Sequence, residues 1–299
     1  MSADTLSYCT PGMPGFESLV RDQAFREFAT ITNPTQCKTL LRIRESGKPS
    51  ISFIASGGVI PDGVVTFSSA GEVQTFAELA IRILVNGDAK DMQTAFGSAF
   101  EFQKPYVWEL FKQEMSRQFY AVVPAANAPL GMVQFASENP NGVLDLGGAP
   151  LAASDMGKLR DMVSPWSPSS PMAYVMHSTT LRELENSAGS RVSYRRDDRT
   201  GVVTPYWGCF RILASDFIHL DELDFPGTSV YFVRFGSGPD DPFGLKSVAL
   251  VYPEGRPGLQ SSALEPRGGS SDLWMSTLHV DYFWDQGQIA RAAGISTGA

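Results

Sequence analysis

Cysteine is scarce in this chain of 299 residues: Cys9, Cys37 and Cys209 are odd in number and far apart. That spacing excludes a Cys-x-x-Cys metal site and offers no disulfide framework, which fits a reducing compartment. Histidine is equally scarce. His177, His219 and His279 stand in separate segments with no second His or Cys two to four residues away, so each reads as a structural or surface residue, not a metal ligand. Missing, too, is any apolar run approaching the ~18 residues that span a bilayer. The first residues have neither a charged n-region nor an apolar h-region, so the expectation is a soluble protein without a secretory signal or membrane contact.

Positive charge is the other deficit. Lys and Arg number 24 against 32 Asp and Glu, a net charge of −8. A protein that grips nucleic acid by neutralising phosphates carries a basic face. The densest basic cluster, Arg195-Arg196 with Arg199, is interrupted by Asp197-Asp198 and reads as a solvated, self-paired turn. Contact with DNA is therefore expected to be weak and non-specific.

Against these absences stands an ordinary globular composition, 43% hydrophobic and 19% charged, with 28 Gly and 20 Pro marking many turns. The most informative stretch runs from Val73 to Val85. Its odd positions (Val73, Thr75, Ala77, Leu79, Ile81, Ile83, Val85) are apolar or β-branched, and its even positions are mixed. Period-two alternation means a strand with one buried face. At ~3.3 Å per residue it would span roughly 43 Å, too long to lie wholly inside a compact domain, so part of it is expected to project. Thr39 to Arg44 and Ser50 to Ile54 are extended in character, and Ser56-Gly57-Gly58, Pro61-Asp62-Gly63 and Ser68-Ser69-Ala70-Gly71 form a turn-rich tip between the arms. Two-stranded ribbons are marginal alone, so this arm should lie on something, with a neighbouring subunit the natural candidate.

A helical pattern follows. Asn86 or Asp88 caps it, and Met92, Ala95, Phe96, Ala99 and Phe100 recur at three- and four-residue spacing. Beyond a kink at Pro105 the stripe continues through Val107, Leu110, Phe111, Met115 and Phe119. Unbroken from Asp88 to Tyr120, it would reach roughly 50 Å. The aromatic stripe reads as core packing, not a cofactor box.

After Pro124 the elements shorten. Asn139-Pro140-Asn141-Gly142 is a turn, and Ser154 or Asp155 caps a helix through Met162. Ala173 to Met176 is a buried strand, and Ser178 starts a helix running through Glu185 to Gly189. Further strands are expected at 202–203, 209–213, 230–235, 247–252 and 273–283, with a short helix from Gln286 to Ala293.

Three constellations invite a chemical reading. Ser215, Asp216 and His219 are close in sequence and would serve a hydrolase, but a triad is defined by geometry. The tract Gly238 to Ser247 resembles a phosphate loop, yet its glycine spacing is too long. Leu245 also separates Gly244 from Lys246, and Asp240 and Asp241 would repel phosphate. Asp221, Glu222 and Asp224 could hold a cation but lack a calcium-loop pattern, and read better as a solvated turn before Pro226-Gly227. Catalytic, cofactor-binding and metal residues are therefore expected to be absent, and the chain is not expected to be an enzyme.

From about residue 36 to residue 295 the order of elements resembles the major capsid proteins of tailed phages with the Hong Kong 97 fold. Thr39 to Val85 resembles that family's extended loop and Asp91 to Val122 its spine helix, followed by Pro129-Leu130-Gly131-Met132, similar to its Pro-x-Gly-aliphatic exit. Met172 to Leu181 is similar to the strand-to-helix step of the axial domain, with Met176, Thr180 and a closing Leu. Tyr206 to Asp216 resembles a further axial segment ending in Ser-Asp, with Arg211-Ile212 where the pattern favours Pro-Val. Val230 to Gly236 resembles a strand ending in Phe-Gly, and Leu278 to Ile295 the closing strand of the peripheral domain and its tail.

The resemblance implies an α+β chain divided as follows: N-terminal arm 1–35, extended β-hairpin loop 36–85, spine helix and peripheral domain 86–124, axial domain 125–255, peripheral return strands and C-terminal tail 256–299. It implies self-assembly as hexamers and pentamers into an icosahedral shell around double-stranded DNA, in a virion built in the host bacterial cytoplasm. A portal and possibly a decoration protein are implied partners. With about 35 residues before the arm, a separate scaffolding protein, or none, is expected. Lys48 lies in the arm, but no Asn or Glu partner for a covalent crosslink can be matched. The alternatives are an encapsulin-like compartment shell of the same fold, or a hydrolase using Ser215, Asp216 and His219.

Overall fold

The computed structural model describes residues 39–41, 44–47, 66–68, 73–75, 77–86, 93–94, 97–98, 110–111, 113–125, 128–139, 141–163, 172–188, 191–196, 203–234, 248–251, 259–261, 265–266, 271–284 and 289–297. Cys9, Cys37, Lys48, Pro105, Arg199 and the tract Gly238 to Ser247 lie outside them.

The alternating stretch forms strands on both sides of residue 76, which lies outside the described residues. Short strands β1 (Thr39–Leu41), β2 (Arg44–Gly47) and β3 (Thr66–Ser68) precede β4 (Val73–Thr75) and β5 (Ala77–Asn86). β1 pairs antiparallel with β4, and β2 with β3, so the expected two-armed hairpin is present. β5 goes elsewhere, to a long C-terminal strand. One part of the alternating stretch thus serves the hairpin, and another joins a sheet.

The helix expected from residue 88 is interrupted by two short paired strands, β6 (Gln93–Thr94) antiparallel to β7 (Gly97–Ser98). Thr94, Gly97 and Ser98 are weak helix formers, and the glycine suits a tight reversal better than a helix interior. Helix α1 is described at residues 110–111 and 113–119. Phe111, Met115 and Phe119 lie buried along one stripe, as their four-residue spacing predicts, while Leu110 is exposed.

The remaining elements follow in order: α2 (Met132–Glu138), β8 (Val143–Asp145), α3 (Ala153–Met162), β9 (Met172–Met176), α4 (Ser178–Ala188), β10 (Val192–Arg196), β11 (Val203–Trp207), β12 (Phe210–Ala214) and β13 (Thr228–Arg234). The chain continues with β14 (Val248–Val251), β15 (Leu259–Ser261), β16 (Glu265–Pro266), β17 (Ser271–Trp284) and β18 (Ile289–Ile295).

Two larger sheets result. β17 is the axis of one: ten residues of β5 pair with it antiparallel, from Asn86 opposite Ser271 to Ala77 opposite Val280, and β14, β15 and β16 also pair with it. The other is a mixed seven-stranded sheet in the order β10-β11-β12-β9-β13-β18-β8, parallel at β12/β9 and at β18/β8. Its central strands are buried on both faces, which explains their unbroken apolar runs (Met172 to Met176, Val230 to Val233). On one face Tyr174, Phe210 and Phe232 pack ring to ring beneath Met156 and Leu159 of α3 and Leu184 of α4. On the other, Tyr120 at the end of α1 meets Tyr231 at 6.4 Å between ring centroids.

β18 corrects one expectation. The helix expected from Gln286 to Ala293 is not formed over its described residues, 289–293. Instead Ile289–Ile295 is a fully buried strand hydrogen-bonded between β13 and β8. Alanine favours a helix in isolation, but seven residues buried on both sides gain more from ladder bonds and contact area than propensity costs. The boundary between the sheets thus falls between β17 and β18.

Two glycines are required where chain segments touch. At Gly131 a Cβ would strike the backbone carbonyl of Phe119, so only glycine lets α2 start against the end of α1. Gln134 seals that junction, its Oε1 accepting from Gly131 N–H (2.9 Å) and its Nε2 donating to Val122 O (2.8 Å). Gly227 has φ +110° and sits against the backbone of Ile295, so it is doubly demanded at the entry to β13.

Candidate functional site

The described part of the chain has one buried charged cluster, and it is built across great sequence distance. Arg291 stands in the middle of β18, where the alternation of the strand points it to the face shared with Tyr231. Its guanidinium donates from Nη2 to Glu222 Oε2 (2.7 Å) and to Asp224 Oδ1 (2.9 Å), from Nη1 to Asp224 Oδ2 (2.6 Å), and from Nε to Ser229 Oγ (2.9 Å). Ser229 in turn donates to Glu222 Oε2. The Phe225 ring covers the guanidinium at 5.4 Å. Arginine suits this position because its planar fork meets two carboxylates and a hydroxyl at once.

Electrostatics separates the two acids by their burial. Burial pushes the Glu222 carboxyl above its ordinary range, and the attraction of Arg291 recovers only part of that. At Asp224 burial works in the same direction, but the hydrogen bonds and charge of Arg291 overcome it and hold the carboxyl below its ordinary value. The expected solvated turn at Asp221, Glu222 and Asp224 is therefore corrected: only Asp221 is fully in solvent, and the other two bind an arginine from the far end of the chain. The cation they hold belongs to the protein. Among the described residues no group of His, Cys, Asp and Glu is placed to hold a metal.

The cluster fixes the loop 215–227. Glu222 N–H donates to Gly227 O (2.8 Å) and Thr228 Oγ1 donates to His219 O (2.7 Å), closing the loop on itself. What the pinned loop displays is apolar: Leu223 is 87% exposed and Leu220 41%. Leucines held in water by a rigid, internally bonded loop are suited to contact with another surface.

The hydrolase constellation is not assembled. Ser215 is buried and its Oγ accepts from Phe217 N–H (3.3 Å), whereas His219 is exposed. Asp216 turns to α4, accepting from Ser178 Oγ and lying 3.8 Å from His177 Nε2. His177 caps that helix. Its carbonyl accepts from Leu181 N–H (3.0 Å) and its Nδ1 from Thr179 N–H (3.0 Å). Burial lowers the imidazole pKa, which keeps it neutral and able to accept. At α3 the expected cap moves: Ala152 is the N-cap, and Asp155 reaches back to its N–H (3.1 Å). Arg195 stacks on Tyr206 (4.5 Å) and donates to Gly208 O (3.2 Å), while Asp197, Asp198 and Arg199 lie outside the described residues. Cys209 is a free, exposed thiol. The side chain of His279 lies outside the described ones.

A long two-stranded pairing, a hairpin, an α1–α2 exit through glycine and a mixed sheet flanked by helices define one architecture, the Hong Kong 97-type shell fold. Solved structures of that fold superpose on nearly the whole chain. No family model matches the sequence, and comparison with curated proteins finds no match. The holo-SrpI encapsulin complex from Synechococcus elongatus PCC 7942 is similar with a TM-score of 0.66 at 12% identity, over 99% of this chain and 95% of that one. The capsid of an empty GTA particle gives 0.65 at 13%, over 99% and 98%. The cyanophage A-1(L) capsid gives 0.65 at 9%, over 95% and 94%. The fold is that of shells.

Proposed function

We propose that this chain is a major capsid protein, assembling with copies of itself as pentamers and hexamers into an icosahedral shell around double-stranded phage DNA. The observation that carries the reading is coverage: similarity to shell structures spans almost all of both chains, leaving little room for an added catalytic domain. The role is structural, not enzymatic, and the mature location is the virion. A hairpin that lies on the adjacent subunit adds contact area without a larger core, and obligate interfaces commonly bury 2,000 Å² or more. The net charge of −8 suits a container whose genome must slide during packaging. A portal, a scaffolding protein and a decoration protein are the accessory partners this role calls for, with assembly in the bacterial cytoplasm.

The second reading is an encapsulin-like compartment, favoured by the similarity to the SrpI encapsulin complex. Contents separate the two. Particles purified from cells producing the phage should hold DNA and carry a portal at one vertex. A cargo enzyme without a portal would select the compartment. Negative-stain microscopy of the expressed chain, alone and with a scaffolding protein, tests the shared claim: closed shells are expected, and small species under both conditions would refute it.

A further inference from the structure

The hairpin β10–β11 is only partly absorbed by its own sheet. All five residues of β10 pair with β11, from Val192 opposite Trp207 to Arg196 opposite Val203. β11 pairs with β12 only at its base, through Tyr206 and Trp207. Pro205 has no N–H to continue that ladder. The outer half of the hairpin is thus a two-stranded ribbon leaving the sheet, and such ribbons are marginal in water without cover.

Its two faces differ. On one, Arg195 satisfies itself against Tyr206 and Gly208 O. The other begins as core, with Val192 buried and Trp207 packed on the main cluster, and continues outward through Tyr194, Pro205, Arg196 and Val203. Towards Tyr194 on this face α4 contributes Glu185, which accepts from the Tyr194 hydroxyl. Tyr194 is 56% exposed and Val203 55%. An apolar face with an arginine at its end runs on after its own helix stops.

The loop 215–227 is its complement, with Leu220 and Leu223 as apolar points and Asp221 beside them. It leaves the sheet at the same end as the ribbon, since Ala214 ends β12 opposite Met176 and Val203 lies at the corresponding end of β11. The exposure of both patches means that they do not cover each other within one chain. Two different complementary patches on one molecule make a head-to-tail contact, and repeating it closes a ring when the rotation permits.

We propose that the open face of the β10–β11 ribbon receives the Leu220–Asp224 loop of a second copy of this chain, linking copies into a ring about a local symmetry axis. The proposal rests on the shell reading and names the residues of one of its contacts. Apolar points meet apolar points, Arg196 meets Asp221, and the Arg291 cluster keeps the loop in its docking shape.

The test uses the full chain, assembled as for the wild type and quantified by sedimentation and negative stain. Val203→Asp and Leu223→Asp should each lower the assembled fraction at least about tenfold, because each buries a charge in the contact. Their melting temperatures should stay within about 2 °C of wild type, as for exposed positions. Arg196→Glu should reduce assembly, and Arg196→Glu combined with Asp221→Lys should recover it. Wild-type assembly with Val203→Asp or Leu223→Asp overturns this contact alone, as does a charge swap no better than its single variants. Failure of the wild type to form any particle overturns the shell reading and this contact together.

Discussion

Replacing Arg291 with methionine should cost this fold heavily, because it removes the counter-charge from a carboxylate that cannot reach water. Glu222 and Arg291 are both almost completely buried. Breaking a buried ion pair by deleting one member costs about 3–5 kcal/mol. Asp224 is partly open to solvent and can resolvate, so the main loss comes from Glu222. At about 2–4 °C per kcal/mol for a domain of this size, the melting temperature should fall by roughly 6–20 °C. The assay is thermal and urea unfolding of the unassembled chain at low concentration, followed by tryptophan fluorescence. The pH dependence sharpens it. In Arg291→Met, burial and the charge of Asp224 act on Glu222 against the Ser229 hydrogen bond, so its folded pKa lies further above the unfolded value. The penalty is then full above that folded pKa and shrinks as pH falls through it toward the ordinary carboxylate range. The gap between wild type and variant should narrow from pH 8 to pH 5. Replacing Arg291 and Glu222 together by apolar residues should recover much of the loss. A single variant within about 1 kcal/mol of wild type, or a gap that widens with acid, would refute the assignment of a buried counter-charge.

Three further outcomes follow from other sites. His177→Ala should lose about 0.5–2 kcal/mol by uncapping α4, whereas His177→Asn should keep most of it. Because the folded pKa of His177 is lowered, its contribution is complete above the unfolded value and is lost as pH falls through the folded one, so the gap between wild type and His177→Ala should close in mild acid. Gly227→Ala should destabilise more than Gly157→Ala, since Gly227 combines positive φ with the Ile295 backbone while Gly157 has open space around it; paired urea melts decide it. Gly131→Ala should force α2 away from Phe119 O, read as lost amide-exchange protection at the α1–α2 junction.

Much of the fold was legible where pattern and burial agree. The alternation of Val73 to Val85 predicts strands because one face must be covered, and the runs at Met172 to Met176 and Val230 to Val233 predict central strands because both faces are. What sequence could not carry was choice of partner. Nothing local says that β5 leaves the hairpin to pair with Ser271–Trp284, 185 or more residues on by register. The Ala-rich segment at 289–295 reads as a helix until its neighbours β13 and β8 are known. The candidate site failed for the same reason: Glu222 and Asp224 look solvated when their arginine is 69 and 67 positions away. One signal was present. An arginine inside the otherwise apolar run Ile289 to Ile295 cannot be buried without acids, although the sequence does not say which.

The central claim is that copies of this chain close into a shell, and a cryo-electron microscopy reconstruction of the particles formed by the expressed protein tests it most directly. The account predicts a closed icosahedral particle with this chain at both fivefold and sixfold positions, and with β10–β11 of one copy against the Leu220–Asp224 loop of the next. A homogeneous small protein that forms no particle, with or without a scaffolding protein, would contradict it.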